Sequence, residues 1–341
     1  MNQSQQIYSW GEDLILVVPA DTHYLPGVYA LYNSARMNGF QGRFVLNLYR
    51  DNDPGKVVSC EGLEVAVANT FSKEYYGTVS RWGGLRDLPD GRYLMLDADM
   101  VFERPCGNLF DPIRVGVLGQ AEPDPRGVPH DALFYHQSEL CGLPHNLPLA
   151  PYINGGFLGF EFPRDREVVR EVADISEKHL KGRMHRHAHK VFPFLEQDVL
   201  NLVMRHHVGR GGVLYAVSSR EIEFSLFAYW NVNRVFPWSK QPPFEPPDQT
   251  KYMVHGAALP RPWEKTKFAA QTFRGRCKAA IADCGGYHAW RKWKGRLSTY
   301  ERAWAYYACS EGLPIPVDAW AANFQFDGHE KTLWRKVHGL D

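Results

Sequence analysis

Short β-branched runs alternate, along the first hundred residues, with stretches whose apolar positions recur at helical spacing. "DLILVVPAD" ends abruptly at Pro19 and Asp21 and reads as a buried parallel strand. "YLPGVYALYNSARMNGF" carries apolar residues at helical spacing from Val28 to Met37 and stops at Asn38-Gly39. "GRFVLNLYR" and "GLEVAVAN" predict a second and a third strand, "YYGTVSRWGGLRDL" a helix in part, and "GRYLMLDADMVF" a fourth strand. This rhythm predicts an α/β fold, a mainly parallel mixed sheet of Rossmann-like type flanked by helices. Ligands bind such sheets beyond the carboxyl ends of strands, where Asp21 and the Asp97/Asp99 pair fall.

Beyond the fourth strand the pattern loosens. Glu122 to Pro151 is rich in proline and histidine with weak periodicity, which predicts a long functional loop or lid. "YINGGFLGFEF" reads as a strand whose glycines admit a close backbone approach, and "DREVVREVADISEKHLKG" and "LEQDVLNLVMRHH" read as amphipathic helices. "PWSKQPPFEPPDQT" is a proline-rich surface connection, and "KYMVHGAALPRPW" returns to an apolar strand followed by a loop. "STYERAWAYYACSEGL" opens with a capping-box pattern, Ser298 with Glu301, and predicts a docking helix. No internal repeat is evident. The expected organisation is one α/β domain over residues 1–268 and a basic, aromatic helical extension over 269–341.

Composition narrows the field. A chain of 341 residues, 44% hydrophobic and 23% charged, is globular and can bury a large core. The formal net charge of +1 gives no chain-wide attraction for nucleic acid, so an anionic partner must meet a local patch. Six cysteines form no CxxC pair and no metal-ligand spacing, which fits reduced, buried thiols in a cytoplasmic protein. The N-terminal stretch has no basic lead, and its apolar run is too short for a signal peptide or a membrane span.

The candidate chemistry lies at the end of the fourth strand. Aspartates at i and i+2 on a strand share a face, so Asp97 and Asp99 can reach one hard cation through oxygen. The same triplet also suits a turn cap beside a solvated carboxylate, and a DxD alone does not choose.

"YLMLDADMVF", "YINGGFLGF", "LEQDVLN" and "VHGAALPRPW", in that order, resemble glycosyltransferase family 8, the glycogenin and lipopolysaccharide galactosyltransferase group. The resemblance covers roughly the first 265 residues, and four ordered motifs are more specific than any one. It implies a GT-A fold that binds a UDP-sugar and a divalent metal and transfers the sugar with retention. By position, Asp97, Asp99 and His255 match the metal ligands, a set that suits Mn²⁺, with Mg²⁺ the alternative. Pro19, Ala20, Asp21 and Tyr24 match the uracil site, although Asp21 also suits a helix cap. Ala98 sits within the metal triplet, beside the donor. Arg81 matches the basic residue near the donor sugar and diphosphate, and Asn154, Gly155 and Gly156 match the sugar-pocket lining. Glu196 stands where the family usually has aspartate, Gln197 matches the position beneath the anomeric carbon, and Asp198 is a second candidate for assisting the ion pair or for a structural bond. Ala258 replaces a common glycine, and Arg261 replaces a lysine that contacts the diphosphate.

The implied reaction moves a hexose, glucose or galactose, from a UDP-sugar to a carbohydrate, glycolipid or protein acceptor, by front-face attack. Rival readings are a catalytically silent nucleotide-sugar-binding protein and a sugar nucleotidyltransferase; the latter needs a glycine-rich phosphate loop after the first strand, which "VVPADTHYLPG" lacks. "HLKGRMHRHAHK" gathers His179, His185, His187 and His189, read as a solvated basic loop or, for His185 and His189, a metal-binding pair. Residues 261–296 carry ten Lys/Arg against two acidic residues with interleaved tryptophans. That stretch suits either peripheral contact with an anionic membrane face or packing on the catalytic domain; without an RNA-binding motif, nucleic acid is not the expected partner.

Overall fold

The computed structural model describes residues 10, 13–48, 53–67, 77–122, 131–180, 191–224, 250–256, 299–309 and 312–316. Its strands are β1 (Leu14–Ala20), β2 (Phe44–Leu48), β3 (Leu63–Val67), β4 (Gly91–Leu96), β5 (Met100–Phe102), β6 (Val117–Ala121), β7 (Ile153–Phe162), β8 (Leu214–Val217), β9 (Ile222–Phe224) and β10 (Met253–His255). The helices are α1 (Leu25–Met37), α2 (Gly77–Leu85), α3 (Asp131–Cys141), α4 (Arg166–His179), α5 (Glu196–Gly209) and α6 (Thr299–Cys309). Two compact units divide the chain: Met1–Thr22, Gly39–Ala98 and Pro105–Ile222 form the first, and His23–Asn38, Asp99–Arg104 and Glu223–Asp341 the second.

The first unit is built on a seven-stranded sheet in the order β3-β2-β1-β4-β7-β6-β8. β1 pairs parallel with β2 and β4, β2 with β3, and β6 with β8, whereas β7 runs antiparallel to both β4 and β6. The expected mainly parallel mixed sheet is therefore present. All of β1 is buried, which explains a continuous apolar run in place of alternation. Trp82 of α2, Val168, Val169 and Val172 of α4, and Val199, Leu200 and Val203 of α5 join Val17, Met95, Leu158 and Phe160 in one core. Each such side chain contributes about 1.5–3 kcal/mol on burial. The apolar residues of α4 recur at helical spacing, so burying them fixes which of its faces meets the core.

The second unit contains α1, β5, β10 and α6. Helix α1 is buried nearly all round, and polar side chains there bond to backbone. Asn33 donates through Nδ2 to the carbonyls of Tyr307 (2.8 Å) and Ile315 (3.0 Å) and accepts from the Ile315 amide (2.9 Å). The Ser34 hydroxyl accepts from the Phe102 amide (3.0 Å), tying α1 to β5. β5 pairs antiparallel with β10 in a three-stranded sheet ordered β5-β10-β9.

Three sequence expectations change. "GRYLMLDADMVF" is not one strand: β4 stops at Leu96, the chain turns through Asp97–Asp99, and β5 belongs to the other sheet. The turn leaves the Asp97 side chain 30% exposed, while Asp99 stays buried beside His255. The span 122–151 is not simply loop, because it contains α3. Its stripe is blurred in sequence, since Tyr135 and Leu140 stay exposed while Phe134 and Gln137 are buried. Helix α1 begins at Leu25, ahead of Val28, with Pro26 in its first turn.

Ser298, His185, His187, His189, Ala258, Arg261, the basic stretch 261–296 and the expected boundary at 268/269 lie outside the described residues, as does nearly all of the proline-rich connection. No helix among the described residues is long and apolar enough to cross a membrane.

Candidate active site

The turn after β4 is anchored by backbone. The Asp97 amide donates to the Gly156 carbonyl at 2.7 Å, extending the β4–β7 ladder by one bond. The Asp97 side chain remains 30% exposed and accepts from Arg81, a buried residue of α2. Arg81 also donates through its other terminal nitrogen to Glu196 Oε1 at 3.0 Å. The guanidinium thus answers two carboxylates from separate elements, and its planar fork suits that task. Gly155 makes room for it: a Cβ built at Gly155 would lie 3.2 Å from Arg81 Nη2.

Three residues converge at the start of α5. Gln197 Oε1 accepts from Asn154 Nδ2 and from the Gly155 amide, both at 3.1 Å. Glu122, just past β6, accepts from Asn154 Nδ2 (3.3 Å) and Gln197 Nε2 (3.4 Å), and Asn154 Oδ1 accepts from the Gly156 amide (2.8 Å). In the sequence, Glu122 is only the edge of a weakly periodic stretch. Its position three-dimensionally beside Gln197 follows from the β6–β7 pairing of Gln120 with Asn154.

Asp198, on the same helical turn, points inward. It is 0% exposed and accepts from the Tyr152 hydroxyl (2.6 Å) and the Phe194 amide (2.7 Å). Burial pushes its carboxyl up to about 6, against the pull of those two donors. Burial, with Asp198 alongside, also raises the Tyr152 phenol. Leu195, which precedes α5, has φ 52° and ψ −120°, a region that a leucine occupies at a cost of about 1–3 kcal/mol. A strained residue beside such a site requires surroundings that hold it there.

Asp99 and His255 are each 2% exposed, and His255 Nε2 lies 3.5 Å from Asp99 Oδ1. The Gly256 amide donates to the Asp99 carbonyl at 2.7 Å, one residue beyond the β5–β10 ladder that pairs His255 with Met100. A Cβ at Gly256 would approach the Tyr300 ring to 2.6 Å, so only glycine follows the imidazole without displacing that ring. Asp97, Asp99 and His255 each present one ligand atom, and these atoms lie within 4.8 Å of one another. Two carboxylate oxygens and an imidazole nitrogen form a donor set fitted to Mn²⁺ or Mg²⁺, with the imidazole favouring the former.

Pro19 and Ala20 end β1, and Asp21 follows at its carboxyl end. Tyr24 meets His23 edge-on with ring centroids 5.5 Å apart. Helix α1 has Tyr24 as its N-cap, with no cap bond from that side chain. His179 ends α4, where burial lowers its pKa.

No family model matches the chain, and no curated protein matches it by sequence. Solved structures do resemble it. The galactosyltransferase LgtC in complex with donor and acceptor sugar analogs is 14% identical at a TM-score of 0.46, with 80% of this chain and 95% of that chain covered. An active-site mutant of LgtC is 15% identical over the same shares, with a TM-score of 0.46. The apo bifunctional glycosyltransferase WbbM is 14% identical at a TM-score of 0.44; the match covers 77% of this chain and 48% of WbbM.

Proposed function

We propose that this chain is a GT-A-type, metal-dependent, retaining glycosyltransferase that moves a hexose, glucose or galactose, from a UDP-sugar to a carbohydrate, glycolipid or protein acceptor. The observation that carries the reading is the convergence of the Asp97/Asp99 pair with His255 from far along the chain, with ligand atoms within 4.8 Å of one another. Those three side chains would hold Mn²⁺ or Mg²⁺. When bound, the cation supplies positive charge against the diphosphate that departs from the sugar.

The chain's own residues do the rest. Arg81 holds Asp97 and Glu196 in place, and a carboxylate has lone pairs enough to take both Arg81 and a cation. Glu196 is placed for sugar hydroxyls, and Asn154, Gly155 and Gly156 form the wall on which the sugar lies. Gln197 sits beneath the anomeric carbon, its amide oxygen already committed to Asn154 and Gly155. That commitment favours front-face attack by the acceptor over a covalent intermediate on Gln197. Asp21, Tyr24, Pro19 and Ala20 receive the uracil, with Ala98, Ala258 and Arg261 along the diphosphate. Residues 261–296 offer interleaved cations and tryptophans to an anionic membrane face, with packing on the catalytic domain the alternative, and the setting is cytoplasmic.

Isothermal titration with UDP, with and without Mn²⁺, followed by UDP release across UDP-sugars, tests the reading. Mn²⁺-dependent binding with turnover of a UDP-hexose is expected. Binding without turnover across donors and acceptors would instead identify a silent nucleotide-sugar-binding protein, and absence of binding would end both.

A further inference from the structure

We propose that Asp198 is a positioning residue: through Tyr152 and the Phe194 amide it holds the strained turn that sets Gln197 against Asn154 and Gly155. The inference deepens the transferase reading and rests on it for its chemical consequence.

Three observations carry it. The turn is a closed one, because the Gln197 amide donates to the Phe194 carbonyl at 3.1 Å across Leu195. A φ of 52° with ψ −120° at the second position of such a turn is glycine's region, yet leucine occupies it. Asp198 reaches back across this turn to the Phe194 amide, so one carboxylate oxygen fastens it from within. The other oxygen takes the Tyr152 hydroxyl, immediately ahead of β7.

Helix α5 repeats this fastening on the same face at later turns. Asn201 accepts from the Ile153 amide (2.7 Å) and donates to the Ile153 carbonyl (2.8 Å), and Arg205 Nε donates to the Pro148 carbonyl (2.9 Å). Residues 148–153 are thus buttoned to α5 by buried polar side chains, and Asn154 follows directly. Asp198 is the member that also grips the turn, so it links the register of β7 to the placement of Gln197. Both its oxygens are engaged and it is 0% exposed, which leaves neither oxygen facing a sugar.

The test compares Asp198→Ala, Asp198→Asn and Tyr152→Phe in the full chain. An asparagine can accept from the Phe194 amide through its oxygen and donate to the Tyr152 oxygen through its nitrogen, whereas alanine does neither. With UDP-glucose and UDP-galactose, kcat for UDP release should fall about 100-fold in Asp198→Ala while donor KM stays within about threefold. Asp198→Asn should keep at least about a tenth of wild-type kcat, and Tyr152→Phe should lose about tenfold. Hydrogen exchange over residues 192–199 should quicken in Asp198→Ala and Tyr152→Phe but not in Asp198→Asn.

An Asn variant as inactive as the Ala variant, with exchange unchanged from wild type, would overturn the proposal, since the carboxylate charge itself would then be required. Wild-type exchange in Asp198→Ala would overturn it equally. If Asp198→Ala does not fold, Tyr152→Phe against Asp198→Asn carries the same contrast. A wild-type protein that releases no UDP from either donor defeats the transferase reading alone, and the exchange measurement still decides whether Asp198 holds the turn.

Discussion

The carboxylates at the end of β4 and those at the start of α5 are treated differently by the fold. Asp97 is answered by the Arg81 guanidinium, and Asp99 lies 3.5 Å from an imidazole. At the start of α5, Glu196 shares Arg81, but Asp198 is answered by a phenol and a backbone amide. Asp198 stands apart because burial raises its carboxyl against the pull of two neutral donors, and those donors tie it to the turn and to Tyr152. Acidic residues of like spacing thus divide into proposed metal ligands and a proposed clasp according to what faces them.

Four measurements break or sharpen that contrast. Asp99→Asn removes a proposed metal ligand and should cut UDP release about 10³-fold, roughly 4 kcal/mol of transition-state stabilisation, with the urea midpoint little changed. Wild-type-like turnover at limiting Mn²⁺ would place the cation elsewhere. Arg81→Ala leaves Glu196 buried without its cation and should lower unfolding free energy by about 3 kcal/mol in urea. Arg81→Lys should recover only part of this, because an ammonium cannot fork between two carboxylates.

Asp198→Asn should act in the opposite direction on stability. The folded pKa of Asp198 is raised from 3.8 to about 6, so its contribution is present below about 3.8 and is lost as pH rises through about 6. At neutral pH the wild-type protein therefore carries an ionised, buried carboxylate that asparagine avoids. The variant should gain up to about 3 kcal/mol at pH 7.5 and nothing at pH 3, read from urea curves at the two values. A loss at pH 7.5 would mean that Asp198 is answered by charge after all. Gly155→Ala should have the smallest effect, because the new methyl crowds only the far end of Arg81 at 3.2 Å and meets Gln197 at ordinary contact distances of 3.7 and 3.9 Å. A donor KM raised about threefold, roughly 0.6 kcal/mol, is expected from steady-state kinetics.

Much of this arrangement was legible in the chain. The uniform burial of β1 was written in "LILVVPA", and β7 in a strand-like run that keeps two glycines together. The Asp97/Asp99 pair was legible as carboxylates at a strand end, whereas His255 entered only through the family resemblance of "VHGAALPRPW". Glu122, Tyr152 and Asn201 were not, since each looks like an ordinary loop, strand-edge or helix residue until its partner is known. Helix α3 was hidden because exposed Tyr135 and Leu140 blur its apolar stripe.

By itself the sequence determined the alternation of strands and helices, the ends at which polar chemistry would gather, and the residue types that suit a divalent cation. These are local properties, set by side-chain period, backbone propensity and ligand hardness, and they need no distant partner. Only the tertiary structure decided that the Asp97–Asp99 segment is a turn between two sheets, that Arg81 serves two carboxylates, and that Asp198 faces neutral donors. Each of those outcomes depends on which group arrives from elsewhere along the chain, and in a buried setting that group decides what a carboxylate is bonded to.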